Sequence, residues 1–107
     1  MDPLDDLAAR FPDQVLGLET SAGQRFANVR RDRILELLRA LRDEHGFDML
    51  TDLTAVDYLN QGQPERFCVV YNLLSLKDQR RTRVKAFVPE ADPKIESASG
   101  LWKSRTP

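Results

Sequence analysis

Thiols and imidazoles are nearly missing from this chain: Cys68 is its one cysteine and His45 its one histidine among 107 residues. A lone cysteine makes no internal disulfide, so a secreted scaffold held by disulfides is excluded. Nor can it supply the thiolates of an ordinary iron–sulfur cluster, and it leaves a structural zinc site short of ligands. Glycines are few and solitary, at 17, 23, 46, 62 and 100. That pattern offers neither a phosphate-cradling loop nor a dinucleotide fingerprint. Long apolar runs are missing too, since nothing approaches the roughly 18–20 residues that cross a bilayer. The start, Met1-Asp2-Pro3-Leu4-Asp5-Asp6, is acidic where a secretory leader is basic. A soluble protein of a reducing compartment is expected. With no internal repeat and no Gly/Ser or Pro tract, residues 1–107 read as a single domain.

What the chain does have is charge, unevenly spread. Its formal net charge is −1, yet residues 1–78 carry 9 Lys/Arg against 14 Asp/Glu while residues 79–107 carry 7 against 3. The C-terminal quarter is basic.

Periodicity supplies the elements. Asp2 before Pro3 is a helix-start signature, because the carboxylate can accept from early backbone N–H groups and proline at the first position wastes no donor. A short helix should run to about Arg10 and stop at Phe11-Pro12. Val15–Thr20 and Arg25–Val29 flank Ser21-Ala22-Gly23-Gln24, which predicts a small hairpin. From Arg30 to His45, Ile34, Leu37, Leu38 and Leu41 recur at i, i+3, i+4 and i+7, the stripe of an amphipathic helix that Gly46 can close. Beyond Phe47 the period becomes two, and Phe47–Tyr58, Phe67–Leu76 and Thr82–Val88 read as strands of an antiparallel meander. The middle strand is apolar on both faces and reads as central. Asp92-Pro93 repeats the cap-then-proline signature and opens a short helix that gives out near Gly100. The expected fold class is α+β: an N-terminal helix and small strands, one amphipathic helix, a three-stranded antiparallel meander and a short C-terminal helix.

Few residues invite chemistry. Asp48, Asp52 and Asp57 cluster on the first long strand, but by parity Asp48 and Asp52 share a face and Asp57 takes the other, so turn capping or pairing with arginines is expected of them. His45 is explained by a helix end. Cys68 sits among strand hydrophobes with no local base, which makes it a packing residue rather than a nucleophile. The run Arg80-Arg81-Thr82-Arg83-Val84-Lys85 is the strongest candidate. It places Arg81, Arg83 and Lys85 opposite the core-facing Val84, Ala86 and Val88. Three readings stay open for it: an edge strand protected by charge, a protein contact, or a nucleic-acid contact.

The stretch Gly46-Phe47-Asp48-Met49-Leu50-Thr51-Asp52-Leu53-Thr54-Ala55-Val56-Asp57-Tyr58 resembles the first strand region of the 30-kDa subunit, or C subunit, of bacterial respiratory NADH:quinone oxidoreductase, complex I. The likeness continues through Arg66–Ser75, the basic strand, Pro93–Ser97 and Leu101-Trp102-Lys103-Ser104, and residues 29–104 match best. What the resemblance implies is a non-redox accessory subunit of the hydrophilic arm. Its partners would be the quinone-site large subunit and the terminal iron–sulfur cluster subunit. It would lie peripherally at the cytoplasmic side of the bacterial inner membrane and hold no cofactor of its own. Transfer of electrons from NADH to ubiquinone, and the translocase activity, would belong to the complex, and the chain would contain no catalytic, cofactor-binding or metal residue. Arg81, Arg83, Lys85 and Trp102 are then the candidate partner contacts. After the Leu-Trp pattern the family continues into an acidic-Arg-acidic signature, whereas this sequence reads Ser104-Arg105-Thr106-Pro107. A shortened or frame-shifted form is the expectation, with Leu101 and Trp102 left uncovered. The alternative is a small basic-strand module that binds nucleic acid or protein and has no link to respiration.

Overall fold

A computed structural model describes residues 2–57, 67–89 and 95 of the chain. Helix α1 spans Pro3–Arg10, where the cap signature placed it. The Asp2 carboxylate accepts from the Leu4 N–H at 2.9 Å, and Asp5 and Asp6 sit in the first turn with Arg10 in the last, each complementing the helix dipole. The helix buries Leu4 and Leu7.

The hairpin follows as β1 (Val15–Ser21) and β2 (Gln24–Arg30). Its two-residue connection has φ of 52° at Ala22 and 79° at Gly23, the paired left-handed geometry that matches the twist of the strands. Glycine adopts it freely and alanine does not. Replacing Ala22 by Asn, which tolerates the left-handed region, should therefore stabilise the fold by up to about 1 kcal/mol. The urea midpoint would rise; an unchanged or lower midpoint would mean that Ala22 is not strained.

Helix α2 spans Ile34–His45 and buries Ile34, Leu37, Leu38, Ala40 and Leu41. It begins later than Arg30: Arg33 is the cap and makes no side-chain cap bond, and the Ile34 N–H donates to the Arg31 carbonyl at 3.3 Å in the turn that leads in. Its end is as read: Gly46 is left-handed at φ 77° and ψ 19°, and the Phe47 N–H returns to the Leu41 carbonyl at 3.1 Å.

Strands β3 (Met49–Asp57), β4 (Phe67–Ser75) and β5 (Arg80–Val88) are antiparallel neighbours. The meander is real but is not the whole sheet. All five strands form one mixed sheet in the order β1-β2-β5-β4-β3, with β5 lying parallel to β2. The basic strand is thus interior, and the edge-strand reading of its charge is corrected: β1 and β3 are the edges. The expected C-terminal helix falls outside the described residues except at Ile95. That residue lies in no regular element and packs half-buried against the core.

Both helices lie on one face of the sheet. There Leu4, Leu7, Leu37 and Leu41 share a core with Ala27, Val29, Tyr71, Leu73, Val84 and Ala86. Side chains on the opposite face meet no helix among the described residues.

A cationic sheet face as the candidate interaction surface

The face that meets no helix among the described residues is fixed by register. On β5 the core-facing Thr82, Val84, Ala86 and Val88 are buried, so Arg81, Arg83, Lys85 and Phe87 must point the other way. Across β4 they meet Leu74, Asn72, Val70 and Cys68 respectively. Across β2, Arg83 is level with Phe26, Lys85 with Asn28 and Phe87 with Arg30. The sequence-predicted trio Arg81, Arg83 and Lys85 is therefore brought together in one row down the middle of the sheet, with Arg30 beside it. Trp102, the fourth predicted contact, lies outside the described residues.

How these cations are held differs from most of the other arginines. Arg10, Arg25, Arg33, Arg42 and Arg80 each form a salt bridge with a nearby carboxylate. Among the described residues Arg30, Arg81, Arg83 and Lys85 form none. Arg83 instead donates from Nε to Asn72 Oδ1 at 2.8 Å, a neutral partner that orients the guanidinium and leaves its charge unmatched. The Lys85 ammonium stands 4.2 Å from the centre of the Phe26 ring, where the ring's negative face attracts it. That contact contributes to the burial of Phe26, which is 6% exposed on a face that meets no helix among the described residues. Beside the row, a depression of about 240 Å³ is lined by Gln24, Thr51, Asp52, Asn72, Arg81 and Arg83. A larger cleft of about 680 Å³ lies where the β1–β2 and β4–β5 turns approach α1, and its lining includes Arg25, Arg80 and Arg81. Two of those three guanidiniums are already committed, Arg25 to Asp5 and Arg80 to Asp78.

Sequence reasoning missed Phe26, Arg30 and Asn72 as parts of this face. For β2 the signal was available, since Ala27 and Val29 are its core residues and assign Phe26 and Arg30 to the other side. An aromatic residue facing away from the core reads as the reverse of that pattern.

The remaining candidates do not assemble. Asp48 Oδ1 accepts from the Leu76 N–H at 3.1 Å, and Asp52 accepts from the Thr54 hydroxyl at 3.1 Å. The expected shared face of Asp48 and Asp52 is corrected, because the register shifts between Leu50 and Asp52. The extra residue, Thr51, turns Asp52 onto the face of Asn72. Among the described residues no group of His, Cys, Asp and Glu is placed to hold a metal ion, and no helix there is long and apolar enough to cross a membrane.

Cys68 is fully buried between Val56 of β3 and Phe87 of β5. Burial pushes its thiol up to about 11, with the charge of Lys85 pulling weakly the other way, so near neutral pH it is protonated and inert. Labelling by iodoacetamide at pH 8 should be slower by orders of magnitude in the folded chain than in urea. Equal rates would place the thiol at the surface.

His45 closes a second network, away from the cationic face. Its Nε2 lies 2.8 Å from Asp6 Oδ2, and Arg10 bridges Asp6 and Glu44, tying the two helices together. The His45 contact, and then Arg10, hold Asp6 below the usual carboxylate range, and the Arg25 fork does the same for Asp5. Because folding depresses both values, these pairs stabilise the chain above the unfolded-state value, and that contribution is lost as pH falls through the lower folded values. The urea midpoint should therefore drop below about pH 4, and Asp6→Asn should weaken that dependence. An identical acid profile in the variant would remove Asp6 from it.

Known proteins match the same stretch of chain that carries the resemblance. Residues 27–106 match the family described as respiratory-chain NADH dehydrogenase, 30 Kd subunit. A protein of Citrifermentans bemidjiense, named as the C subunit of NADH-quinone oxidoreductase, is 46% identical over 98 residues, covering 92% of this chain and 60% of its own length. Proteins of the same name from Geobacter sulfurreducens and Geobacter metallireducens are 38% and 40% identical over the same coverage. The chain thus spans about 60% of the length of these curated relatives. It belongs to the 30 Kd subunit family of respiratory-chain NADH dehydrogenase.

Proposed function

We propose that this chain is a non-redox accessory subunit in the hydrophilic arm of a proton-translocating NADH:quinone oxidoreductase. Its role is to bind and position the quinone-site large subunit and the subunit that carries the terminal iron–sulfur cluster. The observation that carries the reading is the 46% identity to a protein named as the C subunit of NADH-quinone oxidoreductase. The chemistry of the chain is consistent with it. One cysteine and scattered glycines offer no means of holding a cluster, FMN or NADH. The work left to such a protein is surface recognition, and Arg81, Arg83 and Lys85, together with Trp102, are its proposed contacts. It sits peripherally on the cytoplasmic side of the inner membrane, reaching the bilayer only through its partners.

The test is to express the tagged chain together with the remaining oxidoreductase subunits of its own organism and to identify what co-purifies. The large quinone-site subunit and the terminal-cluster subunit are expected in near-equal amounts, and the chain purified alone should contain neither iron nor flavin. Absence of both subunits, or a flavin or cluster bound to the isolated chain, would refute the reading.

A further inference from the structure

The cations that form no salt bridge among the described residues share their face with apolar side chains, and the order of the two is specific. Arg81, Arg83 and Lys85 form the central row, and one strand away on β4 the row Leu74, Asn72, Val70 is half-buried and mainly apolar. Resting on the reading that the chain acts by binding other proteins, we infer that this sheet face docks an amphipathic helix of a partner subunit. That helix sets a stripe of carboxylates against Arg81, Arg83 and Lys85 and an apolar stripe over Val70 and Leu74.

Spacing fits a helix laid along β5. Alternate residues of a strand repeat every ~6.6 Å and i, i+4 residues of a helix every ~6 Å. Carboxylates at i, i+4 and i+8 therefore stay within reach of three long cationic side chains. The neighbouring strand lies ~4.8 Å to the side, so the helix stripe adjacent to the carboxylates falls over Val70 and Leu74. Charge selects the partner's sign. The paired arginines of this chain have their carboxylates, whereas among the described residues the row on β5 leans on an amide and an aromatic ring. Arg83 is held in place by Asn72 and Lys85 by Phe26, so both are ordered before a partner arrives and lose less freedom on docking.

Other occupants fit less well. A second copy would bring two rows of cations against each other. A single-stranded nucleic acid needs exposed aromatic faces to stack on, whereas here the ring of Phe26 is buried beneath Lys85 and Phe87 is half-buried.

The experiment has two arms, both with the full chain. In the first, the triple variant Arg81→Glu, Arg83→Glu, Lys85→Glu is co-expressed with the other oxidoreductase subunits beside the helix-surface control Arg39→Glu. Recovery of partner subunits should fall at least about tenfold for the triple variant and not for the control, with circular dichroism unchanged and cooperative urea unfolding retained. In the second, the labelled chain is titrated in an NMR experiment with a helical peptide carrying Glu at i, i+4 and i+8 beside a Leu stripe, and with its Gln counterpart. Resonances of β4 and β5 should shift with the Glu peptide alone. Full partner recovery by the triple variant would overturn the inference while leaving the accessory-subunit reading intact. A wild-type chain that recovers no subunit yet takes the Glu peptide would do the reverse. Equal binding of both peptides, tighter binding of a single-stranded RNA 12-mer, or dimerisation through this face would each refute the inference.

Discussion

Leu37→Ala should cost about 3–4 kcal/mol, as in other cores where a buried leucine is truncated. Leu37 is fully buried, and it belongs to the cluster that joins both helices to Val29, Tyr71 and Val84 of the sheet. It closes the first turn of α2, where its N–H donates to the Arg33 carbonyl at 3.1 Å, and this anchoring restricts collapse around the lost side chain, so a cavity persists and its lining loses contacts. Domains of this size have only about 5–15 kcal/mol in total. The variant should accordingly unfold at a much lower urea concentration with an unchanged slope. Leu16, on the edge strand and 51% exposed, is the control, and its Ala variant should stay within about 0.5 kcal/mol of the parent. If Leu37→Ala were equally mild, the helix would not be packed on the sheet.

Adjacent residues on β5 should behave in opposite ways. Val84→Asp places a carboxylate at a fully buried position between Ala27 and Tyr71 in the middle of the sheet. No cation faces that position from the strands beside it, so the charge must be buried unpaired or the strand must leave. Either outcome costs more than about 4 kcal/mol, and a chain without cooperative thermal unfolding is expected. Arg83→Asp, one residue earlier, points away from the core. It loses a single hydrogen bond to Asn72 and should retain the native spectrum and melt within a few degrees of the parent. Comparable damage from both substitutions would contradict the assignment of faces.

Local patterns were legible wherever one residue's neighbours in sequence are also its neighbours in space. The α2 stripe, the Asp2-Pro3 start, the Gly46 stop and the Ala22-Gly23 turn all belong to this class. The alternation of β5 likewise separated Val84 and Ala86 from Arg83 and Lys85. What did not show was the partner of β5 on its other side. A parallel pair leaves no turn between its strands and no local spacing to read, and β2 reaches β5 only after α2, β3 and β4 intervene. A charged strand with one visible neighbour looks like an edge, and the same residues at the centre of a sheet become a cationic surface. The Thr51 irregularity escaped for a related reason, since an inserted residue leaves the alternation plausible on both sides while exchanging the faces.

Family membership states which assembly the chain's relatives take their name from, and the cationic sheet face is the surface proposed to join one. The two meet at position 83. A single cysteine placed there, as Arg83→Cys, reports on the cationic face because the native Cys68 is buried and protonated. Maleimide labelling of position 83 should be fast in the isolated chain and slowed at least about tenfold after assembly with the other oxidoreductase subunits. A cysteine at Arg39 on the exposed side of α2 should keep its rate throughout. Unchanged labelling at 83, with protection at 39 instead, would mean that the chain docks through its helices and that the cationic sheet face is not its contact.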